Sequence, residues 1–392
     1  MHRPCLIAAL CLSFAAGPLF AKAECGGAFD SFVDGLRAEA LSKGYDTATV
    51  TRFFAKARLD GSVLKLDRGQ AVFKQSFLEF LANKVSSSRL KIGRAKIAAH
   101  QKTFARIEAN YGIPAGVLAA YWGLETDFGA FQGKTPSLNA LITLAHDCRR
   151  PELFRPQIFA ALELHQQGGF DPVRSIGAWA GEIGQFQMLP ADVLKNGTDG
   201  DGDGQVDVRN SEADALMSAA RMLSGFGWRA GEPWLQEVVL PDSLDWAATG
   251  LNHTQAVSKW QAVGVQARKG DLSPGLQGSV LLPMGRFGPA FMAYPNYRMY
   301  FNWNKSFVYA TTSAYFATRL AGAPAIDPRQ PETGLTVSQM KKLQEKLAAR
   351  GHDVGKIDGI LGELTREAVQ AEQARLGLPA DAWPNLGLLN AL

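Results

Sequence analysis

The strongest constraint on the fold is a helical spacing of apolar residues over most of the chain. Between about residue 29 and residue 320, large apolar side chains recur at steps of three and four, as at Phe73, Phe77, Phe80 and Leu81. This period places them on one face of an α-helix, whereas long alternating strand patterns are scarce. With 392 residues, of which 46% are hydrophobic and 20% charged, the chain can bury a large core. We therefore predict a mainly α-helical protein of two or three domains.

A proline-rich segment divides the chain near its C-terminal end. Residues 321–334 hold Pro324, Pro328 and Pro331 among small and charged residues, which is typical of an extended linker. Val337 then begins a helical apolar face that ends at Gly351, and further helical segments follow. We place the main domain at residues 24–322, the linker at 323–334 and a small helical module at 335–392.

Residues 1–23 have the order of a secretory signal peptide. An apolar stretch is followed by the helix-breaking pair Gly17-Pro18 and by a small-x-small motif that ends at Ala23. Cleavage there leaves two of the four cysteines, Cys25 and Cys148, and the spacing leaves a disulfide and two free thiols equally open. No apolar run would span a bilayer as a mature helix, so we predict a soluble, exported protein without a membrane anchor.

A carboxylate at the end of an apolar helical stripe is the first candidate for chemistry. Pro114 opens a helix on which Leu118, Trp122 and Glu125 share one face. An apolar setting disfavours the charged form of a carboxyl group and raises its pKa, as a general acid requires. The residues alone leave a second interpretation open, in which Glu125 ends a helix and pairs with an arginine or lysine.

Several segments resemble, in the same order, those of the type B lytic murein transglycosylases. They are Trp122–Gly129 around the glutamate, Gly133–Thr135 and Cys148–Arg150 after it, Gly177–Pro190 in a glycine-rich loop, and Trp303–Ser306. Together they span most of residues 30–320. The resemblance implies a lysozyme-like catalytic domain that carries an EF-hand-like loop.

The resemblance also implies a reaction with one carboxyl group, where most glycosidases use two. Glu125 would protonate the oxygen of the β-1,4 bond between N-acetylmuramic acid and N-acetylglucosamine in peptidoglycan. As a carboxylate it would then take the proton of the muramic acid 6-hydroxyl, which attacks its own anomeric carbon. The product would be a 1,6-anhydro end, and no water would be consumed.

The substrate-binding residues that the resemblance implies are Gln187, Trp303, Asn304, Arg149 and Arg150. The two polar amides would hold sugar or N-acetyl groups, the indole would stack on a sugar ring, and the arginines would meet carboxylates of muramic acid. Paired arginines are also consistent with a solvated turn. The chain departs from the family at Ala178, where a serine is common, and at Glu182, which replaces a small residue and adds a carboxylate near the site.

An acidic, glycine-rich loop fits the order of an EF-hand. The ligands we predict for Ca²⁺ are Asp199, Asp201, Asp203, Gln205 through its backbone carbonyl, Asp207 and Asn210. Sensor loops have a bidentate glutamate at the last of these positions, so we expect weak, structural binding; a turn without metal remains the alternative. No Cys/His cluster indicates zinc, and we expect no organic cofactor.

Residues 337–392 resemble the type 1 peptidoglycan-binding domain, on a pattern that includes Leu343-Gln344, Gly351-His352 and Ile357-Asp358-Gly359. Such a module would tether the enzyme to the wall; a helical cap on the catalytic domain is the alternative. The expected partner is the glycan strand, with proteins of wall synthesis or remodelling possible, and the expected location is the periplasm. A net charge of +4 is too small to indicate nucleic acid. A hydrolytic muramidase and an inactive wall-binding scaffold remain the competing functions.

Overall fold

The computed structural model describes residues 24–69 and 75–392; the predicted signal peptide and Phe73 lie outside these residues. The prediction of a mainly α-helical protein is confirmed. The helices of the described residues are α1 Phe29–Ser42, α2 Thr47–Phe54, α3 Gly61–Arg68, α4 Phe77–Lys84, α5 Ser87–Ala99, α6 Gln101–Tyr111, α7 Ala115–Thr126, α8 Ser137–His146, α9 Pro151–Gln166, α10 Pro190–Asn196, α11 Glu212–Gly225, α12 Val257–Ala262, α13 Tyr297–Trp303, α14 Phe307–Leu320, α15 Val337–Ala349, α16 Glu363–Arg375 and α17 Leu386–Ala391. None of these helices is long and apolar enough to cross a membrane.

Helix α7 lies at the centre of the main domain. Its residues 116–123 are buried, and α5, α6, α11 and α14 pack around it. Gly123 allows close packing, because a Cβ atom there would lie 2.8 Å from the ring of Phe128 and 2.9 Å from that of Phe316 on α14. Packing on all sides therefore determines where the C-terminal end of α7, with Glu125, is located.

A small antiparallel sheet covers one part of the helical domain. Its strands, in the order β4-β6-β7-β3-β5, are β3 Leu235–Val239, β4 Gln255–Ala256, β5 Gln266–Ala267, β6 Gln277–Leu281 and β7 Ala290–Ala293; β1 Thr135–Pro136 pairs separately with β2 Ile176–Gly177. None of these strands exceeds five residues, and β7 is buried along its whole length. Short strands buried on both faces do not alternate, which explains why the sequence indicates them only weakly.

The C-terminal helices form a module with its own core that also packs against the main domain. The core residues are Met340, Leu343, Leu347, Val354, Ala368, Val369, Leu388 and Leu389. Arg366 of α16 is buried, donates hydrogen bonds to the carbonyl oxygens of Leu282 and Pro283, and lies 4.4 Å from the ring centroid of Phe307. The module is therefore packed against the catalytic domain.

The segment between the two domains has no helix or strand over residues 323–334, and it lies along the main domain. Gln330 donates its backbone N–H to the carbonyl of Phe287 at 3.1 Å, and the Trp383 indole donates to the carbonyl of Glu332 at 3.1 Å. Extended structure agrees with the proline content, but these contacts hold the segment in place.

Cys25 and Cys148 form a disulfide, which resolves the question that their spacing left open. Their Cα atoms are 5.1 Å apart. The bond ties the start of the described chain to the residues that precede α9, where Cys148 has a positive φ of 60°.

Candidate active site

Glu125 lies half-buried in the last turn of α7. The helix ends immediately after it because Asp127 and Phe128 adopt left-handed conformations, with φ of 52° and 60°. Asp127 accepts a hydrogen bond from Nε of Arg89 at 3.0 Å, which supports a structural role for this residue. The abrupt end of the helix leaves the Glu125 carboxyl group free to meet side chains from other elements.

Two aromatic donors bind the same oxygen of Glu125. The hydroxyl of Tyr309, on α14, donates a hydrogen bond to Oε1, and Nε1 of Trp303, at the end of α13, donates to it at 3.0 Å. Within the described part of the chain, Oε2 has no hydrogen bond. The carboxyl group is therefore held by one oxygen and offers the other to a ligand. The alternative pairing of Glu125 with an arginine or lysine is wrong.

Burial raises the pKa of Glu125 from its ordinary value of 4.5 to about 7. The hydrogen bonds from Tyr309 and Trp303 act in the opposite direction, and the negative charge of Glu182 raises the value further. Desolvation also raises the pKa of Tyr309 well above its ordinary range, so its hydroxyl stays neutral and can donate. Around neutral pH, Glu125 can both release and accept a proton.

The indole of Trp303 has contacts that the sequence did not predict. Its ring stacks on Tyr121 of α7, with centroids 4.4 Å apart, and Tyr121 in turn stacks on Tyr300 at 5.2 Å. One face of the indole is therefore covered by protein, and its N–H holds Glu125. Stacking of a sugar on Trp303 stays a prediction.

Gln187 lies in the glycine-rich loop, at the end of a tight hairpin closed by a bridge between Ile183 and Met188. It has a φ of 50°, and its amide nitrogen donates hydrogen bonds to the carbonyls of Gly184 at 2.9 Å and Gln132 at 3.3 Å. These bonds orient the amide group. They use its nitrogen and leave Oε1 without a partner among the described residues.

Gln185, two residues earlier, is a site residue that the sequence did not reveal. It is buried, and its Oε1 accepts a hydrogen bond from the indole of Trp122 at 2.8 Å. Its backbone carbonyl accepts one from Thr126 at 2.7 Å, and its amide donates to the carbonyl of Arg209 at 3.2 Å. Gln185 thus connects the catalytic helix, the glycine-rich loop and the acidic loop.

Asn304 follows α13 as its C-terminal cap. Its Oδ1 accepts a hydrogen bond from the backbone N–H of Ser306 at 2.9 Å. Ser306 in turn caps α14, because its Oγ accepts the backbone N–H of Tyr309 at 3.3 Å. Asn304 thereby sets the turn that delivers both Trp303 and Tyr309 to Glu125.

Arg149 and Arg150 share a buried partner, Asp67 of α3. Nε of Arg149 donates to Oδ2 of Asp67, and Nη2 of Arg150 donates to Oδ1, both at 2.5 Å. Asp67 is 4% exposed, whereas the two arginine side chains are about a third exposed. Asp67 therefore fixes the positions of both guanidinium groups. Contact between the arginines and substrate carboxylates stays a prediction. Nothing in the sequence pattern connects Asp67 to them.

The acidic loop between α10 and α11 brings three of its predicted ligands together. The carboxylate oxygens of Asp199, Asp201 and Asp203 lie within 4.8 Å of one another. Asp199 accepts backbone N–H bonds from Gly202 at 2.6 Å and Gly204 at 2.8 Å, which lower the pKa of its carboxyl group.

The other predicted ligands of this loop take part in hydrogen bonds within it. Asp207 is not part of this group of three, and its Oδ2 accepts a hydrogen bond from the Asn210 amide at 2.8 Å. Gln205 donates its backbone N–H to Asp203 at 2.8 Å. Asp214, which was not predicted, is buried and accepts backbone bonds from Gly200 and Asp207, both at 2.7 Å. Asp214 thereby joins both parts of the loop to the start of α11, and the set of six Ca²⁺ ligands stays a prediction.

Comparison with known proteins matches both parts of the chain to families. The family model of the transglycosylase SLT domain matches residues 28–318, and that of a putative peptidoglycan binding domain matches residues 336–392. Two crystal structures of SltB3 from Pseudomonas aeruginosa, in complex with NAG-anhNAM-pentapeptide and with NAG-NAM-pentapeptide, share 37% identity and a TM-score of 0.86 with this chain. They cover 93% of it and 99% and 100% of their own chains.

Two relatives from Escherichia coli are more distant. Membrane-bound lytic murein transglycosylase B of strain K12 is 24% identical over 278 residues, which is 68% of this chain and 76% of that protein. The lytic transglycosylase Slt35 in complex with calcium has 23% identity and a TM-score of 0.66, over 78% of this chain and 98% of its own, and shows the same fold.

Fold and site together define a lysozyme-like enzyme with one protonatable carboxyl group at its centre. The matched family model covers most of the chain, and SltB3 is similar over nearly its whole length. The chain therefore belongs to the transglycosylase SLT family: it is a lytic transglycosylase of peptidoglycan with a C-terminal peptidoglycan-binding domain. The resemblance to the type B enzymes is confirmed.

Proposed function

We propose that Glu125 is the acid and the base of a non-hydrolytic cleavage of peptidoglycan. The observation that supports this most is the asymmetry of its carboxyl group: Tyr309 and Trp303 hold Oε1, while Oε2 is available to substrate. A pKa of about 7 suits both roles, because the group carries a proton in part of the enzyme at neutral pH and regains it readily.

In the first step, the proton of Glu125 passes to the oxygen that leaves with N-acetylglucosamine, and the bond from that oxygen to the anomeric carbon of muramic acid breaks. In the second, the 6-hydroxyl of the same muramic acid forms a bond to its anomeric carbon and returns its proton to Glu125. The enzyme ends in its starting protonation state, and the product carries a 1,6-anhydro ring. SltB3 was crystallised with such an anhydro ligand, which is consistent with this product.

We propose that four other side chains hold the substrate. The unbonded Oε1 of Gln187 can accept a hydrogen bond from a sugar hydroxyl or an N-acetyl N–H, and the side-chain nitrogen of Asn304 can donate one. Arg150, anchored by Asp67, presents part of its guanidinium to solvent, where a lactyl or peptide carboxylate would bind. Arg149 shares that anchor and supports the same contact.

We also propose that the acidic loop binds Ca²⁺ as a structural staple. Three carboxylates within reach of one ion provide the oxygen ligands that calcium prefers, and the backbone carbonyl of Gln205 would add another. Because Asp207 and Asn210 bond to each other, we expect fewer ligands than in a sensor loop and weaker binding. The ion would keep the loop, and through Gln185 the catalytic helix, in one position.

We propose that the mature chain begins after Ala23 and works in the periplasm, where its disulfide would persist. The docked C-terminal module would bind the wall at a constant distance from Glu125. Contacts with proteins of wall synthesis or remodelling stay predictions. Recovery of the chain in a periplasmic extract, with its new N-terminus sequenced, tests the export.

Mass spectrometry of the soluble products from purified sacculi tests the reaction. Disaccharide peptides one water lighter than those of a hydrolase are expected, and Glu125→Gln should release none while still sedimenting with the sacculi. Glu108→Gln, which changes an exposed carboxylate on α6 of the catalytic domain, is the control that should keep the activity. Hydrated reducing ends would show a muramidase, and release by Glu125→Gln would refute the catalytic assignment.

A further inference from the structure

Phe131 is an exposed aromatic residue in the loop that follows the catalytic helix. Its side chain is 74% exposed, which is more than for any other large apolar residue in the described part of the chain; Val173 follows at 58%. Single apolar residues on a surface are common and need no function by themselves. Phe131 differs from them in the rigidity of its loop and in its neighbours.

The loop that carries Phe131 is fixed to the end of the catalytic helix. The backbone N–H of Phe131 donates to the carbonyl of Thr126 at 2.9 Å, and Oγ1 of Thr126 accepts the backbone N–H of Gly129 at 3.0 Å. Gly129 has a φ of 88°, and a Cβ atom there would lie 2.6 Å from Oε1 of Gln185, so this turn requires glycine. The ring of Phe131 is therefore exposed on an ordered backbone, six residues after Glu125.

The same loop borders the glycine-rich loop. The carbonyl of Gln132 accepts a hydrogen bond from the side-chain amide of Gln187 at 3.3 Å, and Thr135 pairs with Gly177 in the two-stranded sheet. Phe131 therefore directly precedes the residue that orients Gln187. The Oε1 atom of Gln187 has no partner among the described residues, so a ligand beside Phe131 would meet an unused hydrogen-bond acceptor.

A sugar unit of a glycan strand combines the two kinds of contact that this place offers. The faces of a pyranose ring carry C–H groups, and its edge carries hydroxyl and N-acetyl groups. A C–H face packs on an aromatic ring because the contact removes apolar surface from water, whereas the edge forms hydrogen bonds. Sites for such ligands combine apolar side chains with a few polar groups that fix the orientation. Phe131 and Gln187 together have this composition.

We propose that Phe131 is a binding residue for the glycan strand: the sugar unit that Gln187 holds packs a C–H face on its ring. The inference rests on the proposed function, since it takes the cleft at Glu125 as the place where the strand lies. A phenyl ring transfers no proton, so Phe131 contributes to the binding of the strand and not to the bond-breaking step. Its removal should raise KM and leave kcat nearly unchanged.

Phe131→Ala tests the contact, with anhydro ends counted by mass spectrometry on peptide-free glycan strands of defined length. KM should rise about five- to tenfold, and Phe131→Trp, which keeps an aromatic face, should have a KM near that of the parent. Since the ring is exposed, the melting temperature of Phe131→Ala should equal that of the parent. Phe287→Ala is the matched control: it removes the same side chain from another exposed position, beside Arg286, and should leave KM unchanged.

Binding without turnover separates this inference from the proposed function. With Glu125→Gln as the parent, isothermal titration with a peptide-free tetrasaccharide of alternating N-acetylglucosamine and N-acetylmuramic acid should show a Kd about five- to tenfold higher once Phe131→Ala is added. An unchanged Kd, or a loss of affinity seen only with strands that carry stem peptides, would overturn the inference. If the unmodified protein forms no anhydro ends while Phe131→Ala still weakens binding, the proposed reaction has failed and the sugar contact stands.

Discussion

Replacing Glu125 with glutamine should stabilise the protein at neutral pH while it abolishes activity. The folded state holds the proton of Glu125 up to about pH 7, whereas an unfolded chain releases it near 4.5. Between these values the folded state binds more protons, so the free energy of unfolding falls as the pH rises through this window. At about 1.4 kcal/mol for each pKa unit, ionising Glu125 in the folded protein costs about 3 kcal/mol above pH 7.

Glutamine removes this cost, because its amide oxygen can still accept the hydrogen bonds from Tyr309 and Trp303 without carrying a charge. Urea unfolding with the disulfide intact should show Glu125→Gln more stable than the parent by about 3 kcal/mol at pH 8, and by about 1 kcal/mol at pH 5. Glu108→Gln corrects for the loss of one charge in the same domain. A stability difference that is the same at both pH values, or larger at pH 5, would refute the reasoning.

Three more outcomes are expected. Tyr309→Phe removes a hydrogen bond that favours the ionised form of Glu125, so its pKa rises and the alkaline limb of kcat/KM should move up by about one pH unit; a downward movement contradicts this. Calcium should give heat in isothermal titration and raise the melting temperature, and Asp201→Asn should weaken both effects; no heat with the parent protein rules out the site. Arg366→Met removes two hydrogen bonds that dock the C-terminal module, so limited proteolysis between the domains should quicken, with the lysis of soluble glycan strands retained; unchanged proteolysis would show that other contacts suffice.

The catalytic helix illustrates which features can be predicted from the sequence. The spacing of Leu118, Trp122 and Glu125 predicts a helix with an acid on its apolar face, and α7 has this form. The helical character and the resemblance to the family were predictable for the same reason: both depend on residues that are near one another in the sequence. The strands of the small sheet were not predictable, because strands of two to five residues carry too few side chains to show a period.

The acidic loop was predictable only in part. Alternating aspartates and glycines specify the turn, and three of the aspartates do meet. The contact with the start of α11, where Asp214 accepts backbone N–H bonds from Gly200 and Asp207, could not be predicted from this pattern. Choice among neighbouring polar residues is decided by packing, since each can satisfy the same backbone groups.

The sequence by itself determined that one glutamate stands at the end of an apolar helix, in a chain of mostly helical domains. Only the tertiary structure decided the pKa of that glutamate and the side chains that bind its carboxyl group. Tyr309 and Trp303 are 184 and 178 residues away from Glu125 along the chain, and Glu182 lies in a different loop. A pKa depends on burial and on charges within a few ångströms, and both quantities come into being only when distant segments pack together.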